Sequence, residues 1–380
     1  MTLAFITTQQ PSASTVLGRI LPLAQELKKD ADIAIYVMSE KNSTPRDGMA
    51  YKIVGQEPFS RTEHGKIRLK GFALTMRLLK NTWHTFTQLI QDKPDVIVIV
   101  KPLPQNTLAV ALARFLYTPK KIILDCDDFE LTANVLSSLI QRAAIHTSER
   151  LACKISDSIV AATPFLQDHL TYLTNSKKQV ILIPTGLNAS SLNMPNGEPN
   201  LLYAGSVSLS SGHRVDMLVT IMKLLQPTYP HLTLHVAGSG DDSATLKEAA
   251  AQQGVASQIV WHGRFDEKSL GAILTSQTIL VDPIDSTIVA RAKSSFRCML
   301  ATTYGLPVVT SNVGIRTQLL PTSLHGRLFA EPGSPASYAE KISLLLITPL
   351  SESGRIAMKD TAREYSWGKL ASKYKATMNL

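Results

Sequence analysis

Short apolar segments alternate with segments of helical spacing along nearly the whole chain. Each apolar segment has the length of a buried strand, and a polar or small-residue loop leads from it into the next helical pattern. This alternation is typical of βα units, whose strands pair in parallel and are covered by helices on both faces. The predicted strands are Leu3–Thr7, Ile33–Met38, Asp95–Val100, Ile122–Leu124, Asp157–Ala162, Val180–Ile183, Asn200–Ala204, Leu232–Ala237, Ile259–Trp261 and Ile279–Val281.

One stretch interrupts the alternation. Residues 188–199 are rich in Asn, Ser, Pro and Gly, a composition typical of a linker. With 380 residues, the chain is also longer than one ordinary hydrophobic core requires. We therefore predict two successive α/β domains, residues 1–187 and a second domain that begins at residue 200.

Charge and cysteine content restrict the class of protein further. The formal net charge is +9, so phosphates, nucleic acid and anionic membranes are candidate partners. The N-terminal sequence MTLAFITTQQ lacks the basic start and long apolar region of a signal peptide, and the apolar runs are too short to span a bilayer. We therefore expect a cytoplasmic protein. The cysteines Cys126, Cys153 and Cys298 have no C-x-x-C spacing, and we expect reduced thiols in the core.

A basic amphipathic segment lies between Arg61 and Ile90. An apolar stripe at helical spacing is formed by Phe72, Met76, Leu79, Trp83, Phe86 and Ile90. The basic stretch 61–80 carries six cations and a single acid, Glu63. Two interpretations remain open: a helix in contact with the anionic inner face of the plasma membrane, or a core-facing helix with a solvated basic back. Stacking aromatics are not interleaved with basic residues elsewhere, and we expect no nucleic-acid binding.

Two segments are suited to binding an anion. The sequence from Arg291 to Gly314 begins with Lys293, Ser294 and Ser295 at a predicted helix start, followed by Arg297. Unpaired backbone N–H groups and the helix dipole favour a phosphate there, although an ordinary capped surface helix would have a similar sequence. The turn formed by Gly238, Ser239 and Gly240 between a strand and a helix would also allow close approach of a phosphate, but any tight βα turn favours glycine.

An acidic cluster follows the strand Ile122–Leu124. It consists of Asp125, Asp127, Asp128 and Glu130. The carboxyl ends of parallel strands are where α/β sheets bind ligands. These carboxylates are therefore candidates to hold a metal, to act on an acceptor hydroxyl, or only to cap the following helix.

Several runs together resemble family 4 of the glycosyltransferases, which have the GT-B fold. These are ILIPTGLN, LLYAGSVS, LHVAGSGDD, GLPVVTSNVG and the closing Tyr365-Ser366-Trp367, and their order covers nearly the whole chain. The resemblance implies two facing Rossmann-like domains: an acceptor-binding domain over 1–187 and a nucleotide-sugar-binding domain over 200–360, joined by the linker 188–199. It also implies that a last helix within 361–380 crosses back to the N-terminal domain.

The resemblance further implies transfer of a sugar from a nucleotide-sugar donor to a carbohydrate or lipid-linked acceptor, with no metal and no cofactor. Gly205 and Ser206 match the first glycine loop, Arg264 and Phe265 match the turn near the base, and Lys293 to Arg297 match the diphosphate segment. Because the leaving diphosphate gains charge in the transition state, fixed donors and cations carry such catalysis. Asp127 or Asp128 is the candidate to contact the acceptor hydroxyl or to act as its base.

The chain departs from the family pattern at two places. Ala292 and Leu300 occupy the positions of the E-x7-E pair, and Ser206 and Ser211 occupy those of the usual basic residues of the first glycine loop. Arg214 lies nearby and is expected to substitute, because arginine binds phosphate in a bidentate manner. These departures keep two alternatives open: a catalytically silent GT-B protein that binds a nucleotide sugar or another subunit, and a GT-B nucleotide-sugar epimerase.

Overall fold

The computed structural model describes residues 1–39, 49–62, 65–134, 136, 138–188 and 194–378. It divides the chain into two compact units. The N-terminal unit contains Met1–Gly186 together with Trp367–Leu380, and the C-terminal unit contains Leu187–Ser366. Of the predicted linker, residues 189–193 lie outside the described residues.

The N-terminal unit is built on a parallel sheet of seven strands. Its strands are β1 (Thr2–Ile6), β2 (Asp32–Met38), β3 (Tyr51–Gly55), β6 (Val96–Val100), β7 (Lys121–Cys126), β8 (Ser158–Ala161) and β9 (Val180–Leu182), and a separate antiparallel hairpin is formed by β4 (Phe59–Thr62) and β5 (Gly65–Arg68). The order β3-β2-β1-β6-β7-β8-β9 places β1, β6 and β7 near the centre. Every residue of β6 is buried, as expected for a central strand covered on both faces.

Helices follow the strands of this sheet. They are a π-helical turn (Val16–Ile20), α1 (Leu21–Leu27), α2 (Gly71–Asp92), α3 (Pro104–Ala113), α4 (Glu130–Ala133), α5 (Leu139–Ile155) and α6 (Pro164–Leu173). Ser138 and Thr163 cap α5 and α6 by accepting a backbone N–H in the first turn of each helix, and a proline opens α3 and α6.

The C-terminal unit contains a second parallel sheet, with the order β12-β11-β10-β13-β14-β15. Its strands are β10 (Asn200–Ala204), β11 (Thr233–Ala237), β12 (Ile259–Gly263), β13 (Thr278–Val281), β14 (Val308–Ser311) and β15 (Phe329–Ala330). Its helices are α7 (Met217–Leu225), α8 (Ser243–Gln252), α9 (Glu267–Gly271), α10 (Ile288–Ala292), α11 (Phe296–Tyr304), α12 (Arg316–Leu319), α13 (His325–Leu328), α14 (Pro335–Ile347) and α15 (Glu352–Glu364).

The last helix of the chain, α16 (Trp367–Met378), belongs to the N-terminal unit. Trp367, Leu370 and Tyr374 are buried and share one hydrophobic cluster with Leu3 and Phe5 of β1. The end of the chain therefore completes the core around the first strand. The final residues, 379–380, lie outside the described part of the chain.

The long helix α2 turns its apolar stripe to solvent. Phe72 is 81% exposed and Trp83 is 61% exposed, whereas the buried side chains of the helix are Asn81, Thr82, Thr85 and Leu89. Met76 and Leu79 are exposed as well, whereas Phe86 and Ile90 are half-buried, so the alternative of a core-facing stripe is wrong for its first four residues. The helix has this orientation because the buried side chain of Asn81 forms hydrogen bonds with the backbone of Gln56. Of the basic stretch 61–80, residues 63 and 64 lie outside the described residues.

The three cysteines are free and buried, which confirms the expectation of core thiols. Burial raises the pKa of Cys126 well above its ordinary value and raises the pKa of Cys153 and of Cys298 to about 12. These thiols are therefore protonated and unreactive at neutral pH.

Candidate active site

A buried carboxylate, Asp282, organises the carboxyl edge of the C-terminal sheet. It follows β13 directly and receives bonds from two guanidinium groups: Arg297 Nε donates to Oδ1 at 2.7 Å, and Arg316 Nε donates to Oδ2 at 2.7 Å. The hydroxyls of Ser295 and Thr310 donate to Oδ2 at 2.8 and 3.0 Å. Burial alone would raise the pKa of Asp282, but Arg297 and Arg316 outweigh this effect and hold the pKa well below its ordinary value.

Arg297 connects this carboxylate to the central strand β10. Its Nη1 donates to the carbonyl of Ala204 at 2.9 Å, and its guanidinium carbon lies 4.5 Å from the ring centroid of Tyr203. A Cβ atom on Gly205 would lie 2.5 Å from Nη1, so only glycine fits there beside the guanidinium. Arg297 is 2% exposed, and these donors are satisfied by protein atoms. The structure thus places Arg297 beneath the first glycine loop.

His213 completes the partners of Arg297. Its Nδ1 lies 2.9 Å from Arg297 Nη2, and the residue bridges to Ile284, which follows Asp282 closely in the chain. Burial and then Arg297 lower the pKa of His213 well below its ordinary value. The imidazole is therefore neutral at physiological pH and accepts from the guanidinium.

The arrangement holds more positive than negative charge. Two guanidinium groups share one carboxylate, which leaves an excess of one positive charge in this cluster. Among the described residues, Arg316 Nη2 and Ser294 Oγ are buried side-chain atoms without a hydrogen-bond partner. Lys293 is half-buried and immediately precedes Ser294. A cation-rich edge with unused donors is chemically suited to an anionic ligand.

The two predicted glycine turns pack against each other. A Cβ atom on Gly238 would lie 1.8 Å from the carbonyl oxygen of Gly205, and one on Gly240 would lie 2.1 Å from that of Val207. Val207 N donates to the carbonyl of Ser239 at 3.2 Å. Glycine is therefore required at 238 and 240 by turn packing, whether or not a phosphate binds there.

The other predicted donor-binding residues lie around this edge. Arg214 contacts two carboxylates, Asp216 at 2.7 Å and Asp285 at 3.2 Å, so its charge is neutralised within the unit. Arg264 and Ser206 are exposed. Phe265 is half-buried, and its ring centroid lies 6.1 Å from that of Phe296, the first residue of α11.

The positions expected to carry the glutamate pair are apolar and buried. Ala292 is 1% exposed and Leu300 is 3% exposed. Leu300 belongs to the hydrophobic core of the C-terminal unit. The side chains at these two positions therefore offer no polar contact to a ligand.

In the N-terminal unit, a lysine lies within the predicted acidic cluster. Lys101 Nζ lies 2.7 Å from Asp128 Oδ2, 3.1 Å from Glu130 Oε1 and 3.2 Å from Asp127 Oδ1. Burial alone would lower the pKa of Lys101, but the three carboxylates raise it well above its ordinary value. Lys101 also has a left-handed backbone, with φ of 69°. This conformation is unfavourable for a residue other than glycine, and residues that adopt it are concentrated at functional sites.

Asp125, the first acid of the cluster, has a different environment. Arg19 binds it with Nη2 to Oδ1 at 2.7 Å and Nε to Oδ1 at 3.0 Å, and Tyr374 of α16 donates to Oδ2 at 3.1 Å. Burial raises the pKa of Asp125 more than Arg19 lowers it. Asp125 thus connects the π-helical turn, β7 and α16, while Asp127 accepts from Thr15 Oγ1 at 2.7 Å.

The structure therefore brings the predicted residues together as two groups, one in each unit. Sequence reasoning did not identify several of their members as site residues, among them Lys101, Asp282, Arg316 and His213. A signal existed for two of them. Lys101 and Asp282 each follow an apolar strand directly, and Asp125 likewise follows the apolar residues of its strand. A charged residue at the carboxyl end of a parallel strand lies where α/β sheets bind ligands. Arg316 and His213 carry no comparable local signal.

The C-terminal unit matches a known protein family. Residues 198–347 match the family described as Glycosyl transferases group 1. The structure is similar to that of sucrose-phosphate synthase from Thermosynechococcus elongatus, with a TM-score of 0.73 and 17% identity over 100% of this chain and 98% of that chain. No curated protein sequence matches the chain.

Two further solved structures are similar over nearly their full length. The Anabaena protein Alr3699/HepE, in complex with UDP and glucose, has a TM-score of 0.69 and 12% identity, covering 100% of this chain and 99% of that chain. WaaG, a glycosyltransferase involved in lipopolysaccharide biosynthesis, has a TM-score of 0.65 and 17% identity, covering 98% of each chain.

The fold is thus the GT-B fold of glycosyltransferases, with two α/β domains, as the sequence predicted. The C-terminal unit carries a glycosyl transferases group 1 domain, which confirms the family resemblance and the enzyme class. The protein is a glycosyltransferase.

Proposed function

We propose that this glycosyltransferase moves a sugar from a nucleotide-sugar donor to a hydroxyl of an envelope, lipid-linked or polysaccharide acceptor, without a metal ion. The C-terminal unit binds the donor and the N-terminal unit provides the acceptor site. The acceptor oxygen bonds to the anomeric carbon, the bond from that carbon to the diphosphate breaks, and the nucleoside diphosphate leaves with the electron pair.

The positive excess around Asp282 carries this proposal. A diphosphate brings negative charge that grows as the bond breaks, and fixed cations and hydroxyl donors stabilise it most in a partly dry site. Lys293 and Ser294 supply contacts at the start of α11, and Arg316 supplies an unused Nη2. Arg297 holds the first glycine loop in place, because its own donors bind Asp282 and Ala204.

The acidic cluster supports the acceptor half of the proposal. Asp127 accepts from Thr15 and contacts Lys101, so its position is fixed. The side chain of Asp128 is 20% exposed, twice as much as that of Asp127 at 10%. Asp128 is therefore the better candidate to accept the proton of the acceptor hydroxyl. HepE, which was solved with UDP and glucose, and WaaG, named for lipopolysaccharide biosynthesis, favour a nucleotide-sugar donor and an envelope acceptor.

Metal independence is supported by the position of Lys101. Its ammonium lies among the carboxylates of Asp127, Asp128 and Glu130, where it already supplies a positive charge.

The test is nucleoside diphosphate release by the full chain. The purified protein is incubated with UDP-, GDP- and ADP-sugars, with or without EDTA, and with or without a lipid extract as acceptor source. We expect release with one base type, stimulated by the extract and unaffected by EDTA. Loss of release in EDTA would contradict metal independence.

Variants at the donor edge separate binding from turnover. Lys293→Ala is expected to lower release at least tenfold, whereas Lys359→Ala, an exposed lysine on α15, serves as the matched control. Asp128→Asn is expected to reduce release while donor binding persists. Donor binding by the unaltered protein with no release under any condition would favour the silent GT-B protein, and conversion of one free nucleotide sugar into another would favour the epimerase.

A further inference from the structure

The orientation of α2 is fixed by its polar side. Asn81 pairs with the backbone of Gln56, accepting from its N at 3.1 Å and donating to its carbonyl at 2.8 Å, and Arg77 Nη1 donates to the carbonyl of Glu57 at 3.0 Å. A Cβ atom on Gly55 would lie 2.4 Å from Asn81 Oδ1, so the helix packs closely on the end of β3. Rotation of the helix to bury its other face would break these contacts.

The exposed face of α2 contains a line of apolar side chains. The exposed fractions are 81% for Phe72, 37% for Met76, 55% for Leu79 and 61% for Trp83. These four residues, at alternating spacings of four and three, form what we call the α2 stripe. Ile67 on the neighbouring hairpin strand β5 is also exposed, at 60%. An amphipathic helix of a globular protein normally buries this face, so a continuous exposed stripe indicates an interaction surface.

The charged residues that neighbour the α2 stripe in the sequence have a single sign. From residue 65 to residue 91 the sequence contains five cations and no carboxylate; the cations are Lys66, Arg68, Lys70, Arg77 and Lys80. Such a surface complements an anionic partner. A second copy of the chain in a symmetric contact on this face would place like charges opposite one another, which disfavours self-association.

We propose that the α2 stripe and its adjoining cations dock the protein on the surface of an anionic bilayer. Phe72, Leu79 and Trp83 enter the interfacial layer, where aromatic side chains are well accommodated, and Lys70 and Lys80 contact the lipid phosphates. Among the described residues, none of the helices, α2 included, combines the length and the hydropathy of a membrane span. The inference goes beyond sugar transfer and does not depend on it.

The test is flotation of the full chain with vesicles. Vesicles of phosphatidylcholine with phosphatidylglycerol are compared with vesicles of phosphatidylcholine alone, and the emission of Trp83 reports insertion. We expect binding and a blue-shifted emission only with anionic vesicles. Since Trp261 and Trp367 also emit, the shift is verified by its loss in Trp83→Phe.

Two variants separate the apolar and the charged contribution. Phe72→Ser with Leu79→Ser is expected to weaken binding at least tenfold. Lys70→Gln with Lys80→Gln is expected to weaken binding to anionic vesicles by roughly thirtyfold, about fivefold for each lysine near the surface. The matched control is Tyr172→Ser with Ile347→Ser, two residues of similar exposure, at 75% and 72%, that lie outside α2.

Three outcomes would overturn the proposal. The first is equal binding to neutral and anionic vesicles, and the second is unchanged binding of the Phe72→Ser, Leu79→Ser variant. The third is self-association of the unaltered protein, measured by ultracentrifugation, that depends on concentration and is lost in this variant. Nucleoside diphosphate release from a nucleotide sugar without vesicles is expected to be the same in the variant and the unaltered protein. If the variant loses vesicle binding but still releases nucleoside diphosphate, the result bears on membrane docking alone. If neither the variant nor the unaltered protein releases nucleoside diphosphate, the result contradicts only the proposed function.

Discussion

Asp125 and Asp282 occupy equivalent places in the two sheets, but the charges around them have opposite sign. Each carboxylate stands at the carboxyl end of a parallel strand, is buried, and is held by arginine. Asp125 has one arginine and several acidic neighbours, and burial raises its pKa. Asp282 has two arginines, which hold its pKa well below the ordinary value.

The difference shows how one fold prepares two kinds of binding edge. Around Asp125 the surplus charge is negative, because Asp127, Asp128 and Glu130 outnumber Lys101. Around Asp282 the surplus is positive. The first edge is suited to a hydroxyl that loses a proton, and the second is suited to a diphosphate that gains charge. In each case the buried aspartate positions the groups around it.

Removal of the two aspartates should have unequal effects. Asp282→Asn leaves two buried guanidinium groups without a countercharge, and we expect a loss of about 5 kcal/mol in the free energy of unfolding. Asp125→Asn leaves only Arg19 unpaired, near other acids, and we expect about 1–3 kcal/mol. Urea unfolding of both variants measures the difference. An equal loss of unfolding free energy in the two variants would contradict the difference in charge balance between the two edges.

The acidic surplus is tested by removing its single lysine. Lys101→Met leaves three carboxylates close together, and we expect a loss of about 3 kcal/mol at pH 8. Burial and the neighbouring carboxylates already raise the pKa of Glu130, and without the ammonium nothing offsets the repulsion, so the variant should regain stability as the pH falls from 7 to 5. Urea midpoints over this range are the measurement, with the exposed Lys177→Met as the control. A constant deficit at every pH would contradict the electrostatic account.

The cationic edge should be sensitive to acid through His213. Its pKa in the folded protein lies well below the unfolded value of about 6.5, so below that pH the unfolded state binds one more proton. Stability should therefore fall with decreasing pH, by at most about 1.4 kcal/mol per pH unit. His213→Gln keeps an acceptor for Arg297 and should flatten this dependence between pH 6.5 and 5.5. His231→Gln, at an exposed position, is the control and should leave the slope unchanged.

Adjacent serines should separate stability from ligand binding. Ser295 caps α11 and donates to Asp282, so Ser295→Ala is expected to cost about 1 kcal/mol in unfolding free energy. Ser294 Oγ has no protein partner in the described residues, so Ser294→Ala should leave stability unchanged and weaken nucleotide-sugar binding about tenfold. Thermal unfolding and calorimetric titration measure the two effects. Unchanged affinity in Ser294→Ala would remove that hydroxyl from the donor site.

The sequence predicted the strands of both sheets better than it predicted the sites. Strand β6 was predicted as Asp95–Val100 and is observed as Val96–Val100, because a continuous apolar run is a strong local signal. The short strand β3 was not predicted, since Tyr51–Gly55 mixes polar and apolar residues at the edge of the sheet. The pairing of β3 with the sheet edge depends on strand order, which a local sequence pattern does not reveal.

The site predictions divide in the same way. The acidic cluster and the segment from Lys293 to Arg297 were identified because their residues are neighbours in sequence. The partners that decide their chemistry are distant: Arg19 is 106 residues from Asp125, and Arg297 is 93 residues from Ala204. The exposure of Phe72 and Trp83 was likewise undecided, because periodicity shows that a helix has two faces but not which face packs.

By itself, the sequence determined the βα alternation, the two α/β domains and the resemblance to glycosyltransferases, because these depend on local periodicity and on the order of short runs along the chain. Only the tertiary structure decided that Asp282 carries two arginines, that Lys101 lies among three carboxylates, and that α2 turns its apolar stripe outward. The physical reason is that charge balance and burial are set by strand order and packing, which join residues far apart in the chain.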